Sequence, residues 1–97
     1  MKLELLASRS CSACKIAQKF LEKLKQEYDI DYEVHYVEEC ESEECQELLR
    51  EAMRRGESEG ITVPQLYLND TGRRKHIITG VHKKYEDFER EVLEKIL

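Results

Sequence analysis

Apolar and polar residues recur along this chain with two different periods, and the switches between them mark out seven segments. Residues 2 to 7, Lys-Leu-Glu-Leu-Leu-Ala, form a short apolar run that meets the small polar group Ser8-Arg9-Ser10, as a buried strand does on entering a turn. From Cys11 to Tyr28 the apolar positions Ala13, Ala17, Phe20, Leu21, Leu24 and Tyr28 recur at spacings of three and four, predicting a helix with Ser10 as its N-cap. Ile30, Tyr32, Val34 and Tyr36 then alternate with Asp31, Glu33 and His35, predicting a strand near a sheet edge with one dry and one wetter face. Ser42 is suited to cap a second helix whose Glu43 and Glu44 match the positive end of the helix dipole and whose Arg54 and Arg55 match the negative end, with Gly56 closing it. Its core stripe reads Cys45, Leu48, Leu49, Ala52 and Met53. After a polar loop, Ile61 to Leu68 reads as a strand interrupted near its start by Pro64, and Asn69-Asp70-Thr71-Gly72 as a turn, so residues 74 to 79 return antiparallel and end at Gly80. A last helix carries Tyr85, Phe88, Val92, Leu93 and Ile96 on one face. The order is βαβαββα, an α/β arrangement.

Ninety-seven residues accommodate one hydrophobic core, so residues 1–97 are expected to form a single domain. With 40% hydrophobic and 38% charged residues the chain is too apolar for disorder and too polar for a membrane protein. Sixteen basic against 21 acidic side chains leave a net charge of −5, which argues against nucleic-acid and anionic-membrane partners. No apolar run approaches the ~20 residues of a membrane-spanning helix. A carboxylate, Glu4, interrupts what would be the apolar core of a signal peptide, so the expected location is cytoplasmic and the expected state a monomer. The surface is rich in Glu, Lys and Arg and poor in Asp, a pattern also met in hyperthermophile proteins, where intracellular disulfides occur.

The four cysteines fall into a close pair, Cys11 and Cys14, and a looser one, Cys40 and Cys45. Cys11-Ser12-Ala13-Cys14 sits where the first strand turns into the first helix, and that position distinguishes it from a bare CxxC. Unsatisfied N–H groups and the helix dipole favour an anion there, which lowers the pKa of Cys11, and Arg9 and Lys15 flank it with positive charge. Cys14, one turn in, is expected to be buried and to stay a thiol. The roles that follow are attack by Cys11 on a substrate disulfide and resolution of the mixed disulfide by Cys14. Buried free cysteines can also simply pack as small hydrophobes.

A second element, Thr62-Val63-Pro64-Gln65, begins a later strand. The CxxC at the head of helix one followed by Lys15, this Thr-Val-Pro about fifty residues on, and Gly80 at the end of the hairpin together resemble the glutaredoxins of the thioredoxin superfamily. The resemblance extends in element order over nearly the whole chain. It implies a thioredoxin fold, a four-stranded mixed sheet flanked by three helices, and dithiol–disulfide oxidoreductase activity toward protein or small-molecule disulfides. It also implies a cis Pro64 facing the cysteines, with Val63 and Thr62 offering a backbone edge to substrate. A cis bond is essentially confined to X-Pro, and a proline at a strand start interrupts no ladder bond. No tightly bound cofactor is implied; the reductant would be glutathione, another small thiol, or a flavoprotein reductase. The chain departs from the family's common pattern at two places. Ser12-Ala13 stands where Pro-Tyr is usual, and Gly80-Val81-His82 lacks the Gly-Gly-x-Asp that grips the γ-glutamyl end of glutathione.

The different-class alternative is a module holding zinc or an iron–sulfur cluster through all four cysteines. For Cys45, which opens the apolar stripe of helix two, packing is the favoured reading, with a Cys40–Cys45 disulfide as the alternative, and the surrounding Glu38, Glu39, Glu41, Glu43 and Glu44 disfavour a thiolate. That acidic run reads as helix-dipole complement and solubility, and Arg73-Arg74-Lys75 as a solvated basic loop. His35, His76 and His82 have no ligand-like spacing and are assigned no role.

Overall fold

The computed structural model describes residues 1–56 and 61–96. Among them β1 (Lys2–Ala7), α1 (Ser12–Tyr28), β2 (Tyr32–Tyr36), a 3-10 turn (Val37–Glu39), α2 (Glu43–Gly56), β3 (Gln65–Asp70), β4 (Arg73–Thr79) and α3 (Tyr85–Ile96) follow in the expected order. The polar loop expected after Gly56 lies outside the described residues.

Strand β1 is parallel to β2 and antiparallel to β3, and β4 pairs antiparallel with β3, so the sheet order is β2-β1-β3-β4. Successive side chains of a strand point to opposite faces, and β1 therefore serves two cores. Leu3, Leu5 and Ala7 meet Cys14, Ala17, Leu21 and Leu24 of α1 and Phe88 and Val92 of α3. Leu6 points the other way, onto Tyr67 and onto Leu48 and Ala52 of α2. Between Leu66 and Tyr67 the β3–β4 register slips by one residue, and the extra residue, Ile77, lets both Ile77 and Ile78 enter the larger core.

Several local expectations are corrected. The N-cap of α1 is Cys11 and not Ser10, since the Cys11 side chain itself accepts the Cys14 amide in the first turn of the helix. Strand β3 starts after Pro64, and Asn69 and Asp70 belong to it. The turn is Thr71-Gly72, both with positive φ (52° and 90°), braced by Asn69 Oδ1, which accepts from the Gly72 amide at 2.9 Å. Tyr28 and Met53, placed on core stripes by periodicity, are 43% and 54% exposed, each lying in the last turn of its helix. All of β2 is half-buried without a dry and a wet face, because its polar side carries His35, which is covered by carboxylates.

The same polar face corrects the reading of the basic loop. Arg74 is not solvated: its Nε donates to Glu4 Oε1 at 2.7 Å and its Nη1 to Glu47 at 2.9 Å, while Glu4 is fully buried. Lys2 bonds Glu33 at 2.7 Å and lies 3.5 Å from Glu44, and His35 lies 3.2 Å from Glu33 and 3.7 Å from Glu4. Glu4, Glu33, His35 and Glu44 are spaced closely enough to suggest a cation site. Arg74 and Lys2 already supply the positive charge that this group needs.

Ser42 does cap α2, its hydroxyl accepting from the Cys45 amide at 3.1 Å. Ser42→Ala is expected to lower stability by about 1 kcal/mol, read as a shift in the denaturant midpoint at constant slope.

Candidate active site

The sheet register brings four chain segments to one end of the sheet. Ala7 pairs with Tyr36, Leu6 with Gln65, and Gln65 with Thr79. The turn at residues 8–11 after β1, the segment 37–45 after β2, residues 61–64 before β3 and Gly80 after β4 therefore gather there.

Within this group Cys11 and Cys14 are joined in a disulfide, with their Cα atoms 5.2 Å apart. Cys14 is fully buried in the larger core, and Cys11, half-buried, packs against it. The Cys14 amide donates to Cys11 Sγ at 3.1 Å, so the cysteine at the N-cap occupies the position where the helix presents a free N–H. Lys15 and Ser12 are exposed on the same first turn.

The peptide bond between Val63 and Pro64 is cis. Pro64 is buried, Val63 packs against both cores, and Thr62 is exposed. The segment is held from beneath. The side-chain amide of Gln65 donates to the Thr62 carbonyl at 2.8 Å, and the buried Tyr67 hydroxyl donates to Gln65 Oε1 at 2.5 Å. The Gly80 amide donates to the Pro64 carbonyl at 2.8 Å with Gly80 at φ 90°, so this glycine ties the end of β4 to the proline segment, and its own N–H is engaged. Nearby, His82 Nε2 lies 2.5 Å from Glu91 of α3, and Glu91 is held below the usual carboxylate range by Lys95 and then by His82.

Sequence reasoning missed the residues that hold the turn before Cys11. Glu38, read as part of a solubilising run, accepts from the Ser8 hydroxyl at 2.5 Å and from the Arg9 amide at 3.1 and 3.2 Å. Glu39 accepts from Arg9 Nε at 2.5 Å, and the Arg9 guanidinium lies 3.7 Å from the centre of the Tyr36 ring. Gln18 of α1 in turn donates to the Tyr36 hydroxyl at 2.8 Å. Arg9, expected to flank Cys11 as a free positive charge, is instead neutralised by Glu39 and stacked on Tyr36. The signal was present as Ser-Arg-Ser in one turn and Glu-Glu in another, but nothing local shows that the two turns meet.

Glu38 is held below its ordinary value of 4.5, first by the Ser8 hydroxyl and then by the Arg9 amide. A carboxyl depressed on folding stabilises fully above its unfolded value, and that contribution is lost as the pH falls through the lower folded value. The turn over residues 8–10 is therefore expected to loosen only well below pH 4.5. The check is an NMR titration in which the Ser8 and Arg9 amide shifts follow the Glu38 carboxyl, a step that Glu38→Gln removes.

The four cysteines do not converge. Cys40 and Cys45 form a second disulfide, with Cα atoms 5.3 Å apart, and Cys45 is buried, so packing alone does not describe it. A tetrahedral thiolate set for zinc or iron–sulfur has no support in two separate disulfides.

A sheet of order β2-β1-β3-β4 with α1 and α3 on one face and α2 on the other is the thioredoxin fold, here bearing a CxxC at the mouth of its first helix. Comparison narrows this class. The sequence profile of the glutaredoxin family matches residues 2–72, and the chain belongs to that family. Among solved structures it is similar to thioredoxin 1 from the thermophilic eubacterium Thermosipho africanus TCF52B, with 23% identity over 99% of this chain and 94% of that one and a TM-score of 0.65. It is also similar to a glutaredoxin from Archaeoglobus fulgidus, with 18% identity over 94% of this chain and 85% of that one and a TM-score of 0.58. No curated protein matches the chain. Family and fold support a thiol–disulfide oxidoreductase, and the family needs no tightly bound cofactor. Among the described residues no helix is long and apolar enough to cross a membrane.

Proposed function

We propose that this protein is a dithiol–disulfide oxidoreductase in which Cys11 is the nucleophile and Cys14 the resolving thiol. The observation that carries the reading is the backbone amide of Cys14 directed at Cys11 Sγ from the first turn of α1. In the reduced protein that N–H and the helix dipole stabilise a thiolate at Cys11, whereas Cys14, buried among apolar side chains, is held as a thiol. The Cys11 thiolate attacks one sulfur of a substrate disulfide, and the other sulfur leaves as a thiolate that takes a proton. Cys14 then loses its proton and attacks Cys11 Sγ, releasing the second substrate sulfur. The protein is left with a Cys11–Cys14 disulfide, and a reductant returns two electrons to it.

Substrate docks along the backbone of Thr62 and Val63, kept in place by Pro64 and, beneath them, by Gln65. Lys15 adds positive charge at the rim, while Arg9 acts by fixing the turn before Cys11. Gly80 anchors the proline segment, and its own amide is taken by the Pro64 carbonyl. With His82 directed to Glu91, little at this corner grips a γ-glutamyl group, so the reductant is a small thiol, glutathione among others, or a flavoprotein reductase. The expected setting is a cytoplasmic monomer acting on protein or small-molecule disulfides.

Two measurements test the assignment. Alkylation of the reduced protein across pH, read by peptide mass, is expected to find Cys11 fastest, with an apparent pKa well below the ~8.5 of a free thiol. Cys14→Ser is expected to accumulate a mixed disulfide between Cys11 and a disulfide substrate, visible as one adduct per chain, and to lose multiple turnover. Four cysteines of equal, slow reactivity and no adduct would overturn the proposal.

A further inference from the structure

The segment that grips the active-site turn is itself closed by a disulfide. It leaves β2 at Tyr36, passes through the 3-10 turn carrying Glu38 and Glu39, and enters α2 past Ser42. The Cys40–Cys45 bond joins the end of the turn to the first turn of the helix. Its two sulfurs differ in access, since Cys40 is half-buried and Cys45 only 2% exposed. An incoming thiolate reaches Cys40, the more accessible sulfur, and the sulfur displaced is that of Cys45. The bond thus repeats, between β2 and α2, the position that Cys11–Cys14 occupies between β1 and α1. Around it lie Glu38, Glu39, Glu41, Glu43 and Glu44, all exposed, five carboxylates against two cations, Arg9 bound to Glu39 and Lys2 3.5 Å from Glu44. Such a field repels an anionic thiol and attracts a cationic one.

We propose that Cys40 and Cys45 form a second thiol–disulfide exchange site, selective for cationic thiols, whose oxidised form holds Glu38 against the turn that carries Cys11. Two thiols R–SH reduce it. The first displaces Cys45 and leaves R–S on Cys40 as a mixed disulfide, and the second attacks the R sulfur, displaces Cys40 and releases R–S–S–R. The two protons end on Cys40 and Cys45. With the bond open, residues 37–42 lose their covalent cross-link to the first turn of α2, and Glu38 loses the constraint that keeps its carboxylate on the Ser8 hydroxyl and the Arg9 amide.

The site is independent of the function proposed for Cys11 and Cys14, and the test keeps the two apart. Wild type and the Cys11→Ser/Cys14→Ser double variant are equilibrated in buffers of cysteamine and cystamine, and in matched buffers of mercaptopropionate and its disulfide. Each cysteine is then read by alkylation and peptide mass. The expected result, in both proteins, is that Cys40 and Cys45 open together. Per thiolate, reduction is expected to be roughly tenfold faster with the cationic thiol at low salt, with the preference collapsing at high salt. Amide hydrogen exchange at Arg9 is expected to quicken by about tenfold once the bond is open, a factor that corresponds to one net hydrogen bond. Three results would overturn the proposal: a Cys40–Cys45 bond that stays closed throughout, reduction rates indifferent to thiol charge, or an Arg9 amide whose exchange is the same in both states. Opening in wild type but not in the double variant would show that Cys11 and Cys14 drive it, and would also overturn it.

Discussion

Replacing Cys11 with serine is expected to reduce turnover of a protein disulfide, with dithiothreitol as electron donor, to the rate of the buffer alone. The loss should be on the order of a thousandfold or more, given the scale of enzymatic rate enhancement. A serine hydroxyl at the same N-cap can still accept the Cys14 amide, so the start of α1 is retained. The hydroxyl does not ionise near neutral pH, however, and it forms no mixed disulfide. Comparison belongs in the fully reduced proteins, where neither has a Cys11–Cys14 bond and a difference in activity is not a difference in cross-linking. Substantial turnover by Cys11→Ser would move the chemistry to Cys40 and Cys45, the other sulfur pair in the chain.

The second large effect is on stability. Arg74→Ala is expected to destabilise the fold by roughly 3–5 kcal/mol, the usual consequence of leaving one member of a buried ion pair behind. Glu4 has no exposure, and the substitution removes both guanidinium nitrogens that bond it, at 2.7 and 3.3 Å. Against a total stability of about 5–15 kcal/mol such a loss removes a large share. The denaturant midpoint should fall accordingly. Arg54→Ala, which breaks the exposed pair with Glu51, should shift stability by no more than about 0.5 kcal/mol. Converting Glu4 and Arg74 together to leucine should lose much less than Arg74→Ala, because the one carboxylate that loses its partner, Glu47, is open to water and no buried charge is left unpaired. If Arg74→Ala behaved like Arg54→Ala, the ion pair with Glu4 would be of no structural consequence.

The two predictions draw on different kinds of information. The position of Cys11 was legible in the sequence, because a run ending at Ala7, a polar turn and a helical period starting beyond Cys11 together put the CxxC at a strand–helix junction. The same local logic located β1, α2 with its Ser42 cap, the hairpin and α3, and it marked Thr62-Val63-Pro64 by the one proline in the chain. These features depend on residues within a turn or two of each other, where period, capping and φ preference act.

The importance of Arg74 was not legible, nor was that of Glu38. Arg74 and Glu4 stand 70 positions apart and meet because β3 lies between their strands in the sheet order. Glu38 reaches Arg9 across 29 positions because β1 and β2 end side by side. A charge in a polar stretch reads as solvated until the packing shows what covers it. For the same reason periodicity assigned Met53 and Tyr28 to the core, since it gives the face of a helix but not how far the opposing sheet extends. The bulge that turns both Ile77 and Ile78 inward, and the bond between Cys40 and Cys45, belong to the same class. The sequence by itself determined which elements form, their order, and where the CxxC sits, because these follow from short-range periodicity and capping. Only the tertiary structure decided which charges are buried together and which turns hold each other, because those contacts depend on strand order and register between residues far apart in the chain.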